Sequence, residues 1–317
     1  MTNKEYGKYG RIFSIILAVI IAGFFFYNYD KIANILKQIS YSWALSGMAF
    51  YLVNYTFRGL RLKAVAGSRI NYFNEALNFS VLHGIFSYFF PARTGDASLP
   101  VLLKSTGKLE LKKGVSVLLK TRVFDVTILG CLSLFACAFG AREISGHTQF
   151  IWFLAGMLMT SSFFIYSKLG AGGSLLLKRF FSFGDPYNEM FNFKFNEFFY
   201  SFLIWLSVFS SQYCMIQSIG LDLSFSEVVF LSTIQFPLQL LPIQGVANSG
   251  NHEGAWVTAL VLMGFKADSA LSFALASHGV LIVYVLLLGI VALFTGNKKL
   301  GSFINEKWSS IANKSLI

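Results

Sequence analysis

Charge is what this sequence has least of. Only 13% of its 317 residues are Asp, Glu, Lys or Arg. That is about half the ~25% of an ordinary soluble domain, and it leaves too little polar side chain to clothe a surface in water. Cysteine is scarce as well. Cys131, Cys137 and Cys214 sit inside apolar runs with neither metal-ligand nor redox spacing. That excludes a metal or dithiol centre built on them, and they read as small buried hydrophobes. The phosphate-loop pattern GxxxxGK[ST] is missing, so the GAGG stretch at 170–173 does not make a nucleotide site. No cofactor and no metal is expected.

What is present is apolar and aromatic: 55% hydrophobic residues, with 35 phenylalanines. Runs long enough for a ~30 Å hydrocarbon core recur along the chain, so an all-α, multi-pass membrane protein is expected. The net charge of +11 is then a matter of topology, since Lys and Arg collect in loops on the cytoplasmic side, and no nucleic-acid partner is needed. The first apolar run follows Lys4, Lys8 and Arg11 and leads into FFFYNYD instead of a small-residue cleavage site. It reads as an uncleaved span, not a signal peptide.

Six segments fit full crossings: 12–28, 41–57, 114–139, 149–167, 198–219 and 270–295. Two others do not. Residues 75–90 run into FFPARTGD, and the apolar stretch beyond it, ASLPVLL, has seven residues, about 10 Å of helix. Residues 226–241 run into LPIQGVANSGNHEG, followed by the eleven residues AWVTALVLMGF. Both read as re-entrant helical hairpins, at 75–104 and 226–265, because broken backbone at membrane depth must be enclosed by protein or line a wet cavity. The charges agree. Arg58, Arg61, Lys63 and Arg69, then Lys104, Lys108, Lys112 and Lys113, then Lys168, Lys178, Arg179 and Lys194, then Lys298, Lys299, Lys307 and Lys314 fall on the same side as the N-terminal basics. Only Lys31, Lys37, Arg142 and Lys266 fall opposite. An N-in, C-in chain with six spans and two hairpins satisfies this pattern.

Each half of that map is span, span, hairpin, span, with an odd number of crossings. The chain is therefore expected to be one membrane domain, 1–317, of two inverted-topology repeats, 12–140 and 149–295, with a cytoplasmic loop at 168–197. Pro91 and Gly95 mark one tip, and Pro242, Gly245 and Gly250 the other. Short Pro-interrupted segments at matching places in inverted halves point to a transport site near the bilayer midplane.

The segment PARTGDASLPVLLKSTGKLELKKGVSVLLKTRVFD resembles the first signature of the lysylphosphatidylglycerol synthetase transmembrane-region family, through Pro91, Arg93, Gly95, Asp96, Gly107, Arg122 and Asp125. Pro242, Gly250, Glu253, Gly254 and Ala255 resemble the second signature, with His252 in place of an arginine before the glutamate and His278 where another arginine is common. The resemblance implies a membrane domain that handles anionic phospholipids or polyprenyl-phosphate-linked sugars, in the bacterial inner (plasma) membrane, alongside enzymes of glycan or lipid assembly.

Arg93 is the sharpest candidate ligand, because a guanidinium at a half-helix end grips phosphate bidentately. Ionisable side chains within a membrane mark function by default. Its bland alternative is neutralisation by Asp96. Arg122 and Asp125, three apart on one helix face, form an intrahelical pair or else divide into a phosphate ligand and an orienting or proton-carrying acid. Lys120 reads as an interfacial anchor and His83 as structural. Glu253 either complements a helix N-terminus beside Asn251 or acts in the site, carrying a proton or pairing with Arg93. His252 and His278 titrate near neutrality if wet. The proton-coupling candidates are thus Asp125, Glu253, His252 and His278. Asn248, Gln235, Gln239 and Gln244 line a polar cavity or satisfy broken backbone. The expected activity is translocation of an anionic or polyprenyl-phosphate lipid, not catalysis. The alternatives are an integral-membrane transferase with Asp96 or Glu253 as base, and an accessory subunit of glycan assembly.

Overall fold

The computed structural model describes residues 39–139, 146–172, 193–239 and 244–295, together with Ala33 and Lys37. The expected first span 12–28, Pro242, most of the 168–197 loop and the C-terminal lysines lie outside the described residues. Within them every regular element is helical. The helices are α1 (Tyr41–Ala66), α2 (Phe73–Phe89), α3 (Ser98–Ser105), α4 (Leu111–Phe139), α5 (Gly146–Gly172), α6 (Phe195–Ser218), α7 (Phe225–Gln239), α8 (Asn251–Leu262) and α9 (Ala267–Thr295). Short 3-10 turns at Pro91–Ala97 and Val246–Asn248 separate α2 from α3 and α7 from α8.

Four helices, α4, α5, α6 and α9, are long and apolar enough to cross a membrane, and they match four of the expected spans. α1 has the length, about 39 Å at 1.5 Å per residue, but it carries Asn54, Arg58, Arg61 and Lys63 and does not fall in that set. The expected span ended at 57. The helix continues through both arginines to Ala66 because Arg61 is buried and neutralised across the interior rather than solvated in a loop. α3 and α8, with 8 and 12 residues, reach only about 12 and 18 Å, as expected of the short arms of broken helix pairs.

The order of a long helix, a broken pair and a long helix occurs twice, as α1, α2–α3, α4 and as α6, α7–α8, α9. Packing follows the same duplication. α1 lies along α6, each short arm packs on the long helix that follows it, and each first arm crosses over: α2 packs on α9 and α7 on α4. The turns before α4 and α9 each contain a left-handed glycine, Gly107 at φ 70° and Gly264 at φ 89°.

α5 stands apart. Only 11% of its apolar window is buried, and Phe150, Ile151, Leu154, Leu158 and Phe164 face outward, a surface suited to lipid. Its one intimate contact is with α4, where a Cβ on Gly130 would stand 2.5 Å from the Thr160 nitrogen. Thr127 and Ser162 share a hydrogen bond of 3.1 Å at the same seam.

Lys120 is enclosed by protein and does not reach a surface. It is 3% exposed and sits 2.5 Å from Glu197 of α6, itself 1% exposed, while its ammonium lies 5.9 Å from the Phe124 ring centroid. A lysine followed by more apolar helix reads as a membrane-edge anchor from sequence, but the acid that neutralises it is 77 residues away.

Two stability predictions follow from these contacts. Gly130→Ala forces the α4 and α5 backbones apart and should destabilise by about 1–3 kcal/mol, read as a lower melting temperature in detergent. Glu197→Ala strands a buried ammonium and should cost about 3–5 kcal/mol. Replacing both partners, Lys120→Met with Glu197→Leu, should recover most of that loss; a double variant as unstable as the single one contradicts the assignment of a buried pair.

Candidate functional site

The two interruptions meet. In the first tip, Ala92 and Arg93 adopt left-handed backbone, φ 51° and 57°; in the second, Ala247 and Asn248 do the same, φ 53° and 62°. Non-glycine residues in this region cost about 1–3 kcal/mol each and persist only where the surroundings hold them. Here each tip caps the helix that opens the other pair. A helix end leaves four carbonyls without intrahelical partners. Gln244 Nε2 donates to the carbonyls of Ser87, Tyr88 and Phe90 at 2.8, 3.0 and 3.3 Å, and the Ala92 N–H donates to the Gln244 carbonyl at 2.6 Å. In return, Arg93 Nε and Nη2 donate to the Gln239 carbonyl at 3.0 and 2.7 Å, where Asn251 Nδ2 also donates at 3.0 Å. A cation at a helix C-terminus is favoured by the helix dipole as well. Gly95 lets the first tip fold back on α2: a Cβ there would lie 2.0 Å from the Phe86 carbonyl oxygen.

Beneath the tips lies a cavity of about 250 Å³, with Arg58, Arg93, Arg122, Asp96, Asp125 and His83 among its walls. Three arginines thus face two aspartates. Asp96 accepts from Ser87 Oγ at 2.9 Å, Arg122 Nη2 at 3.1 Å and Arg93 Nη1 at 3.3 Å. Asp125 is engaged by Arg61, at 2.5 and 3.3 Å, and by Trp205 Nε1 at 3.2 Å, with Arg122 at 4.0 Å. Arg61 also donates to Ser201 at 2.8 Å. Arg58 Nε donates to Asn54 at 2.8 Å, its guanidinium lies over the Tyr55 ring, and it lines the cavity with no ion pair among the described residues. Arg122 keeps a third of its side chain exposed.

The structure therefore brings Arg93, Asp96, Arg122, Asp125, Asn248 and His252 onto one wall system, as the sequence suggests. Glu253 and His278 are not on it. Glu253 accepts from the Gly250 N–H at 2.7 Å, the helix-start role weighed for it, and also contacts His278 Nδ1. The first helical residue there is Asn251, with Gly250 before it, and the Asn251 side chain turns to Gln239 instead of capping. His252 Nε2 bonds to Ser277 at 3.1 Å. Gln235 bonds to Gln212 at 2.9 Å, so the glutamines both line the cavity and satisfy neighbours. Pro242 lies outside the described residues.

Sequence reasoning missed Arg58 as a cavity residue and Arg61 as the partner of Asp125. The signal was there: Asn54, Arg58 and Arg61 fall on one face of a helix at i, i+4 and i+7, a polar stripe on an otherwise apolar helix. His83, 8% exposed, holds Ser98 at 2.9 Å at the start of α3. No cluster of metal-ligating residues occurs among the described residues.

No curated protein and no solved structure matches the chain. A family model does, over residues 11–289, and its description is lysylphosphatidylglycerol synthase TM region. That match spans both broken pairs and the long helices as far as residue 289 in α9, and the chain belongs to this membrane-protein family.

Proposed function

We propose that this chain moves a phosphate-bearing lipid between leaflets, with the headgroup held in the central cavity. The observation that carries the reading is the excess of arginine over aspartate on one wall system inside an apolar helical body. Buried charge is expensive in a membrane interior and is retained where it binds or conducts. At about 250 Å³ the cavity is smaller than the ~300–1,000 Å³ pockets that enclose a whole drug-sized ligand. It suits a headgroup whose tails stay in the bilayer. An anionic phospholipid or a polyprenyl-phosphate-linked sugar meets this description, and both share the phosphate that arginine forks recognise.

Arg58 and Arg122 are the primary phosphate ligands in this reading, since both have donors not committed to protein partners. Arg93 already spends three donors on Gln239 and Asp96. An arriving phosphate competes for that guanidinium and loosens the contact between the tips. The two broken pairs act as re-entrant hairpins of inverted repeats, with both chain ends on the cytoplasmic side of the bacterial inner membrane. Movement of the tips past each other alternates access to the headgroup. Asp96 and Glu253, the acids a transferase would use as base, are both engaged in ion pairs or hydrogen bonds, which favours translocation over group transfer.

The test is lipid translocation in proteoliposomes, with a fluorescent phosphatidylglycerol and a polyprenyl-phosphate analogue as probes. Arg58→Ala and Arg122→Ala should each slow transfer at least about tenfold, the loss expected of one charge-assisted bond of ~1.5–3 kcal/mol, with the fold intact. Rates equal to the wild type for both probes would remove the cavity as the site.

A further inference from the structure

We infer that Glu253 and His278 form a one-proton binding site whose occupancy pins the second tip, so that a proton controls one half of the molecule and not the other. His278 Nε2 lies 2.8 Å from the Ala247 carbonyl, and His278 Nδ1 contacts a Glu253 carboxyl oxygen. A carbonyl only accepts, so Nε2 carries a hydrogen. The Nδ1–Glu253 contact then needs a second proton, on the imidazole or on the carboxyl. In either placement the pair holds one proton more than a carboxylate beside a neutral histidine.

Removing that proton leaves a single N–H on the ring for two oxygen partners. The carboxylate is the stronger acceptor, so the hydrogen stays on Nδ1, and a bare Nε2 lone pair then faces the Ala247 carbonyl. Ala247 is one of the two left-handed residues of the second tip, a conformation held only by its surroundings. Loss of the proton therefore releases the tip at a strained residue. The first tip has no such control, because its corresponding acid, Asp96, is held by Arg122 and Arg93, and arginine does not deprotonate.

The surroundings keep the site distinct. His252 of α8 stacks on the His278 ring at 4.8 Å between centroids, and Tyr88 of α2 meets it edge-on at 6.2 Å. Ser277 Oγ donates to the Ala274 carbonyl, so it accepts from His252 Nε2. His252 Nδ1 is buried with no partner among the described residues, so a second ring proton there would be left unpaired and the neutral ring is favoured. Where α1 and α6 approach α9 the titratable groups among the described residues include Tyr51, Tyr55, Cys214 and Tyr284. Tyr51 packs on Tyr284 at 5.6 Å, Tyr284 donates to the Ala44 carbonyl at 2.5 Å, and Cys214 lies beside Gly47.

The pinned form binds the extra proton, so the pin is complete at low pH and is lost as pH rises through the apparent pKa of the pair. The pin itself rests on hydrogen-bond geometry, and only its use in transport rests on the proposed lipid movement. Hydrogen–deuterium exchange on the full chain in lipid nanodiscs reads it directly. After correction for intrinsic rates, protection of the second-tip segment should fall about tenfold or more between about pH 5.5 and about pH 8.5, on either side of neutrality, while the first tip stays protected. Glu253→Gln reproduces the protonated carboxyl, its amide donating to Nδ1, and should keep the second tip protected at both pH values; His278→Ala should leave it unprotected at both. Wild-type protection of the second tip that does not change with pH overturns the inference, as does a Glu253→Gln protein that follows the wild type. The wild-type titration alone decides the matter if either variant fails to fold. Lipid transfer in proteoliposomes separates the two claims. A pH-dependent tip without lipid transfer refutes the translocation reading alone, and transfer accompanied by a pH-independent tip refutes the proton site alone.

Discussion

Two helix ends inside an apolar body would each leave carbonyls without partners, and the architecture is arranged around how those carbonyls are satisfied. α2 and α7 each end partway through the molecule, and each end takes donors from the opposite tip, with Asn251 of the second pair adding one more at the end of α7. Gln244 from the second tip covers the end of α2, and Arg93 from the first covers the end of α7. Neither broken pair is complete without the other. The crossed packing of α2 on α9 and α7 on α4 brings the tips close enough for this exchange, and the strained dipeptides Ala92–Arg93 and Ala247–Asn248 aim the chain for it.

Around that contact the charges are sorted by burial. Lys120–Glu197 and Arg61–Asp125 are enclosed and tie α4 to α6 and α1. Their function in the fold is register, since a hydrophobic replacement of such a pair is often no less stable. Asp96, Arg122 and Arg58 are more open and stand at the cavity. The same residue types therefore do different work according to whether water or a ligand can reach them. The corresponding pairs of the two halves, Arg122–Asp96 and His278–Glu253, differ in burial and in whether the cation can lose its proton.

Much of this was legible before any coordinates. The two interruptions, the length of their short arms and the pairing of α4, α5, α6 and α9 with expected spans follow from hydropathy and helical rise. The family resemblance marked Arg122 and His278, and each meets an acid of its own tip region. Arg61 and Lys120 read as boundary charges in sequence for one reason. A charge in sequence looks like a membrane boundary unless its counter-charge is known, and Asp125 and Glu197 are 64 and 77 residues away from the cations they neutralise.

The sequence by itself determined a helical membrane protein with two broken segments, because apolar length and helix-breaking residues act locally. Tertiary structure alone decided what the breaks are for. Whether Arg93 grips a ligand or a neighbouring helix end depends on which carbonyls arrive from the other half of the chain, and whether Glu253 faces a cavity or a histidine depends on how α8 packs on α9. Hydrogen-bond partners across more than a hundred residues leave no trace in local composition.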